Sequence, residues 1–481
     1  MHCQVKIKIE PLYQEEAEHL FLEELGSEVA LDLEIRAIVK SIVKECAGLP
    51  LGVITIARSM RGATNVFQWR DVLEKLKESD MGLRDMEMKV LRNLEISYDL
   101  LRDHKVQQCF LSCALYPEDK LIDKLKLIEF FIDQGLIDGL NTRKKQYDRG
   151  LAILNKLENV CLLEDHDSKV KMYNLIRDMA LHIMGATSLV KAGKGLTRIP
   201  QKEYWMDALE KVSLIENHTG EFPLDMSPNC PKLSTLLLNN SLSYGVAIPD
   251  SFFKHLWKLK VLNLSGCKVR ELPDSISNLV NLRALLLTGC SELRHIPCLG
   301  KLTSLRKLDA SGCVCLEALE DVGMLVNLRY LDLTNTCIKR LPNRTLGSLL
   351  NLQYLKVEAV VNGEDITNLR ALEILECFFE DVDDFNKCVR VIEQSNDPPY
   401  YELKVDQEEP KFHVKVSYAA RFGNCERSVH IRKWSHSIAS VGGDYIGICI
   451  LIPLDVRTLA GKECDGITNL SGMGQLGNLS C

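Results

Sequence analysis

Long apolar runs are missing from this 481-residue sequence. The longest, near Tyr445 to Leu454, falls well short of the ~20 residues that a bilayer-crossing helix requires. The opening Met1-His-Cys-Gln-Val-Lys-Ile-Lys alternates polar and apolar residues and does not read as a secretory signal. A surplus of positive charge is missing too: 59 Lys and Arg face 66 Asp and Glu, a net charge of −7. The short basic cluster Arg143-Lys-Lys145 with Arg149 is diluted by Asp138, Asp148 and Glu158. Phosphate tracking needs a sustained basic stripe, so nucleic acid is not an expected partner. No Ser-His-Asp or Cys-His arrangement stands in a recognisable setting, and the acids Glu118-Asp119 and Asp383-Asp384 read as solvated, so no enzyme activity is expected. Cysteine is plentiful at 18 residues, yet paired spacing is absent. Cys313-Val-Cys315 has neither a second pair nor a nearby His at zinc-ligand spacing, so no metal is expected. Cys46, Cys109 and Cys113 lie in apolar helical contexts, and the expectation is reduced, buried thiols in a cytoplasmic protein.

What the sequence does have is a repeat. The phrase Leu-x-x-Leu-x-Leu begins at Leu209, Leu233, Leu259, Leu282, Leu305, Leu328 and Leu352, at intervals of 24, 26, 23, 23, 23 and 24 residues. Eighteen of its 21 apolar slots are Leu, the others being Val212, Val357 and Ala310, and that register identifies leucine-rich repeats. In each phrase alternate residues of a short strand point inward and their neighbours face outward. Three residues on sits a small residue: Cys267, Cys290, Cys313 or Thr336. A second apolar set follows, as in Leu272-Pro273, Ile276 and Leu279, which one repeat cannot bury but stacked repeats can. The expectation is a horseshoe-shaped α/β solenoid with a parallel strand ladder. Its open face carries Lys260, Arg283, Arg306 and Arg329 at one strand position, with Tyr330 and Tyr354 beside them. Arg and Tyr are frequent interface anchors, so this ladder is expected to dock an acidic protein partner.

Before the repeats the chain reads as helical. Apolar residues from Leu33 to Cys46 share one face, Gly48 can end that helix in a left-handed conformation, and Pro50 suits the first turn of the next. Gly48-Leu49-Pro50-Leu51 resembles the GLPL motif of plant NB-ARC domains, the nucleotide switches of disease resistance receptors. Further resemblance lies in Trp69-Arg-Asp-Val-Leu, Leu94-Glu-Ile-Ser-Tyr98, Leu115-Tyr-Pro-Glu-Asp119 and Gly150-Leu-Ala-Ile-Leu154. Where the family has Met-His-Asp, this chain has Met172-Tyr173-Asn174. A Tyr hydroxyl donates from a longer, uncharged ring than His, and Asn lacks the carboxylate charge.

The resemblance implies a helical ARC remnant at 1–75, a winged helix at 76–190, a linker at 191–206 and repeats at 207–380. An acidic insertion at 381–410 and an irregular terminal repeat region at 411–481 follow. It implies an immune receptor switched by ADP and ATP, recognising pathogen effectors or guarded host proteins, and contacting its own NB-ARC domains. Gly48, Leu49, Pro50, Leu51, Met172, Tyr173 and Asn174 would line the nucleotide site, with Pro50 on the adenine side and Tyr173 on the phosphate side. Family members also carry Gly-x-x-x-x-Gly-Lys-Ser/Thr, which this sequence lacks. The chain is therefore expected to be truncated, to bind nucleotide poorly, and to be mobile over residues 1–25, where Val5 to Ile9 have no sheet to join. Two alternatives stay open: a nucleotide-independent repeat adaptor, or a non-functional product of a truncated gene.

Overall fold

A computed structural model describes residues 10–26, 32–80, 86–220, 222–223, 225–243, 245–342, 344–395 and 400–406, then 427–432, 449–451, 456, 458–462 and 469–471. It divides into two compact units: residues 1–138 with 147–185, and residues 186–481 with the short segment Gly139–Gln146.

The first unit begins with helices α1 (Gln14–Leu25), α2 (Leu33–Glu45), α3 (Pro50–Ser59), α4 (Val66–Asp80) and α5 (Met86–Asp99). Helix α1 is packed, contrary to the mobility expected of it: Ala17, Phe21 and Leu25 are buried with Ile42, Ile56 and Trp69. The helix closes its own core face with no strand partner, while Val5 to Ile9 lie outside the described residues. The α2–α3 joint follows the sequence reading. Asp32 caps α2 by accepting from the Ile35 amide at 2.7 Å, and Pro50 opens α3. Gly48 has φ +70°, and a Cβ there would stand 2.4 Å from the Leu12 carbonyl oxygen, so both conformation and space demand glycine.

Continuing the unit are α6 (His104–Cys113), β1 (Ile122–Asp123), α7 (Lys124–Gln134), α8 (Arg143–Asn159), β2 (Glu164–His166), β3 (Lys169–Lys171) and α9 (Asn174–Met184). The three strands pair antiparallel in the order β1-β3-β2. Asp123 caps α7 by accepting from the Lys126 amide, and Gly135 ends it with φ +78°. Gly150 lets α8 cross α7 closely, since a Cβ there would meet Ile128 Cγ2 at 2.5 Å.

The second unit is built on one parallel sheet. Its strands are β4 (Ser188–Val190), β5 (Lys211–Ser213), β6 (Thr235–Leu237), β7 (Val261–Asn263), β8 (Ala284–Leu286), β9 (Lys307–Asp309) and β10 (Tyr330–Leu333), then β11 (Tyr354–Val360), β12 (Ile374–Phe379), β13 (Tyr400–Asp406) and β14 (Ser428–Arg432). A short pair, β15 (Cys449–Leu451) with β17 (Asn469–Ser471), stands apart, and β16 (Thr458–Lys462) completes a 12-stranded order β16-β14-β13 down to β4. All seven Leu phrases supply strands, and their Leu slots are buried in one continuous core.

Donors hold the repeats in step. The residue three places after each of the first six phrases donates to a carbonyl of its own or the preceding repeat: Cys267 Sγ to Leu238 O at 3.0 Å, Cys290 Sγ to Leu264 O at 3.1 Å, Cys313 Sγ to Leu287 O at 3.2 Å. Asn217, Ser241 and Thr336 do the same at their positions. Burial pushes the Cys267 thiol up to about 12, so it stays protonated and donates. On the opposite return, Asn281, Asn327 and Asn351 each donate to the neighbouring repeat's carbonyl at 2.7–2.9 Å.

Three sequence boundaries change. Residues 191–206 are no linker: Ala192, Ile199 and Trp205 are buried, Trp205 donates to Pro200 O at 3.0 Å, and its ring meets Phe252 at 5.5 Å. The preceding β4 pairs with β5, so the sheet starts before the linker did. Nor is 381–410 an exposed insertion. Helix α11 (Val382–Ser395) buries Phe385, Cys388, Val389 and Ile392, and β13 joins β12 in parallel. Its acids had masked an amphipathic helix, whose apolar face serves as the return side of another repeat. The alternating stretch Phe412 to Val416 lies outside the described residues.

Candidate binding sites

In the first unit the motif residues meet through side chains. Arg177 Nε donates to Tyr116 O at 3.1 Å, Lys171 Nζ lies 2.8 Å from Asp119 Oδ1, and Asn174 Nδ2 approaches Asp119 Oδ2 at 3.5 Å. Lys171 and then Asn174 hold the Asp119 carboxyl below its usual range. Asn174 therefore serves the Tyr116–Asp119 turn. Tyr173 is the residue before α9, with its ring 38% exposed and its hydroxyl held protonated by partial burial and by Glu164.

The seven residues expected at a nucleotide split into two sets. Pro50, Tyr173 and Asn174 are exposed, whereas Gly48 and Met172 are buried. Gly48 is filled on its Cα side by the Leu12 backbone, and Met172, 4% exposed, belongs to the core. Both are packing positions in this structure. Leu49 and Leu51 are half-buried flanks of the α3 start. The exposed members are two rings and the Asn174 side-chain amide, which lies at Asp119. Among the described residues no group of three or more His, Cys, Asp or Glu is placed to hold a metal ion.

The sheet face of the second unit carries two different columns. At the outer column, the amides and carbonyls of successive strands pair directly: Arg283 N to Lys260 O at 2.7 Å, Arg306 N to Arg283 O at 2.8 Å, Arg329 N to Arg306 O at 2.7 Å. Register thus stacks Lys260, Arg283, Arg306 and Arg329 as sequence spacing implied. Burial and the neighbouring Arg306 lower the Arg329 pKa, the mark of like charges brought close.

The inner column has another chemistry. Tyr330 and Tyr354 are register partners, with rings stacked at 4.0 Å and 9°. Asp332 Oδ2 accepts from Tyr354 Oη at 3.3 Å and Tyr330 Oη at 3.4 Å, while its Oδ1 accepts from Thr334 Oγ1 at 2.7 Å. Burial, then Asp309, pushes the Asp332 carboxyl up to about 7. Lys307 Nζ lies 4.7 Å from the Tyr330 ring centre and Lys356 Nζ 5.8 Å from that of Tyr354. Next along, Glu376 is held by Lys356 at 3.2 Å and by Lys404 at 3.1 Å. Burial opposes its charge, but Lys404 and Lys356 outweigh that and lower its pKa.

The segment Gly139–Gln146 of this unit sits on the tyrosines. Arg143 places its guanidinium carbon 5.0 Å from the Tyr330 ring centre and 5.8 Å from that of Tyr354. Glu373 accepts from the Arg143 amide at 2.7 Å and the Lys144 amide at 3.3 Å, and Gln353 Nε2 donates to Asn141 O at 2.6 Å. Tyr330 and Tyr354 therefore stand against a cation of the chain itself. The repeat register alone puts Tyr330 over Tyr354. The role of Arg143, about 190 residues away in sequence, carries no local signal.

Comparison with known proteins fits both units. Residues 115–180 match the model for the disease resistance protein winged helix domain, and residues 231–291 match a leucine-rich repeat model. The chain is 38% identical over 280 residues to the probable disease resistance protein At4g27220 of Arabidopsis thaliana, covering 57% of this chain and 30% of that protein. It is 35% identical over 280 residues to disease resistance protein At4g27190 of the same plant, covering 57% and 28%. The functional domain of InlJ from Listeria monocytogenes aligns at 19% identity and TM-score 0.32, over 46% of this chain and 50% of that one. The chain thus spans less than a third of the length of these two plant relatives. No helix among the described residues is long and apolar enough to cross a membrane. By its winged helix, its repeats and these relatives, the chain is similar to plant disease resistance proteins that carry leucine-rich repeats.

Proposed function

We propose that the chain acts in plant defence as a recognition element, binding an acidic protein partner through the outer column of the repeat sheet. The partner is a pathogen effector or a host protein under guard, and the chain itself performs no catalysis. The observation that carries this reading is the stack of Lys260, Arg283, Arg306 and Arg329 at successive strands. Four like charges in register repel one another, and an acidic surface laid across them relieves that cost while steering encounter.

In the family this recognition is coupled to ADP and ATP exchange in a cytoplasmic receptor. Of the seven residues that the resemblance assigns to such a ligand, Pro50, Tyr173 and Asn174 are exposed, and the sequence carries no Gly-x-x-x-x-Gly-Lys-Ser/Thr. The test is affinity capture from infected leaf extract on the full chain and on a variant with Arg283, Arg306 and Arg329 all replaced by Glu. The reading expects acidic proteins retained by the first and released by salt, and lost from the second. The same proteins on both would sink it. Adenine nucleotide recovered from the denatured chain in near-stoichiometric amount would instead restore nucleotide binding to these residues.

A further inference from the structure

Beside the outer column runs a row of exposed apolar side chains that the fold itself does not require. We infer that the rim where the repeat strands begin docks an amphipathic α-helix of the partner, acidic on one face and apolar on the next. This rests on the reading that the outer column binds an acidic protein, and it names the element bound.

Each strand is entered through the same turn, in which Leu282 N donates to Leu279 O at 2.8 Å, Leu328 N to Leu325 O at 2.8 Å, and the other repeats follow suit. The second residue of that turn stands three places before the outer-column position. Down the stack it is Trp257, Val280, Thr303, Val326 and Leu350. The backbone here is tied from repeat to repeat: Asn281 Nδ2 donates to Trp257 O at 2.7 Å, Asn327 Nδ2 to Thr303 O at 2.8 Å and Asn351 Nδ2 to Val326 O at 2.9 Å. Trp257 is 44% exposed, Val280 46%, Val326 49% and Leu350 59%. Thr303, exposed at the same place, shows that the turn accepts a polar residue equally well. Apolar side chains scattered singly over a surface are ordinary, whereas four of five at one turn position form a row suited to a second surface.

The charge beside that row has one sign. Residues 254–260, 278–283, 301–306 and 324–329 hold seven Lys or Arg and no Asp or Glu, in a chain whose net charge is −7. A basic row and an apolar row in register match two adjacent faces of one helix. Neighbouring strands lie about 4.8 Å apart, and helix residues three or four apart rise about 4.5–6 Å. A helix lying across the strands can therefore set one carboxylate at each of Lys260, Arg283, Arg306 and Arg329. Its side chains one residue further on are turned by about 100°, toward the apolar row. An extended segment laid the same way repeats about every 6.6 Å on one face and falls out of step. Single-stranded nucleic acid needs successive stacking rings, and Trp257 is the one aromatic in the row.

The probe is a fluorescein-labelled peptide, Glu-Leu-Ala-Gln-Glu-Leu-Ala written twice, titrated by anisotropy against the full chain. As a helix it carries Glu on one face and Leu on the next. A peptide of the same composition, reordered so that neither residue keeps to one face, should bind at least tenfold more weakly. So should the first peptide with Pro in place of each Gln, which cannot stay helical. Val280→Ser together with Val326→Ser should weaken the first peptide at least fivefold with the thermal midpoint unchanged. If that pair lowers the midpoint, Leu350→Ser serves with the same expectation. Equal binding of ordered and reordered peptides, retention with Pro, no effect of the Ser pair, or no binding of the ordered peptide would overturn the inference. Sedimentation of the chain with phosphatidylserine vesicles, lost in the Ser pair while the peptide fails to bind, would overturn it in favour of a lipid surface. Capture from leaf extract kept by the Ser pair but lost in the triple Glu variant removes only the helix. Capture unaffected by the triple Glu variant removes the broader reading.

Discussion

The two columns of one sheet face differ in how their charges are treated. The outer one stacks Lys260, Arg283, Arg306 and Arg329 with solvent alongside, and its charge is a cost carried by the folded chain. The inner one buries its charges and matches them: Lys356 and Lys404 on Glu376, tyrosine hydroxyls on Asp332, Arg143 over the rings. Neighbours in sequence, Arg306 with Lys307 and Arg329 with Tyr330, thus serve opposite ends. Mismatched charge at the surface is suited to recruiting a partner, because its relief is available only on binding. Matched charge in a low-dielectric setting is suited to fixing one arrangement, because removing any member strands the others.

Breaking the inner column should cost most at Glu376. Glu376→Ala leaves the largely buried Lys356 without its carboxylate, while Lys404 keeps Glu402 at 3.0 Å, and should destabilise by about 2–3 kcal/mol, read as a lowered thermal midpoint. Glu376 has a lowered folded pKa, so its contribution is present above the unfolded carboxylate range and disappears as pH falls through the folded value. A midpoint unchanged by the substitution at pH 7 would mean the triad is not buried as described.

Asp332 should behave with the opposite sign. Its carboxyl is raised to about 7, so the folded state favours the proton. Its stabilising protonated form is fully present below the unfolded value and is lost as pH rises through 7. Asp332→Asn should therefore stabilise by about 1–2 kcal/mol at pH 8 and by little at pH 4, after allowing for weaker bonds to Thr334 and the tyrosines. Equal effects at both pH values would contradict the buried, acid-crowded position.

Between the columns and the core lies the donor slot. Cys290→Ala removes the side-chain donor to the Leu264 carbonyl without overpacking the slot, at an expected cost of about 1–2 kcal/mol, while Cys290→Ser should cost less than half as much. Similar losses in both would show that packing, not donation, selects the residue. The smallest effect belongs to the outer column. Arg306→Glu should leave stability within about 0.5 kcal/mol, or raise it slightly at low salt by breaking the run of like charge. A loss of several kcal/mol would place Arg306 in the fold rather than at a binding face.

How much of this could be read beforehand follows from distance along the chain. The Leu phrase is a local pattern that repeats, so strands β5 to β11, their register and the outer column were all legible. So was the α2–α3 joint, where Gly48 and Pro50 act on their own backbone. Residues 382–406 were misread because Asp381, Asp383 and Asp384 suggested exposure, while the buried set Phe385, Cys388, Val389 and Ile392 spaces as one helix face. Trp205 looked like linker because its partner Phe252 is a repeat away. Met172 and Gly48 took ligand roles from resemblance, whereas burial assigns them to packing. Arg143 was weighed only as part of a basic cluster. Nothing adjacent to it in sequence announces two tyrosines almost 190 residues later.

The central claim is that the inner column is engaged by residues 139–146. Amide hydrogen exchange at Arg143 and Lys144 tests it most directly, in the unaltered chain and in Glu373→Ala. Protection of both amides, reduced at least tenfold by Glu373→Ala with the Leu-rich strands unaffected, is the predicted result. Fast exchange of both amides in the unaltered chain, with the strands protected, would contradict it.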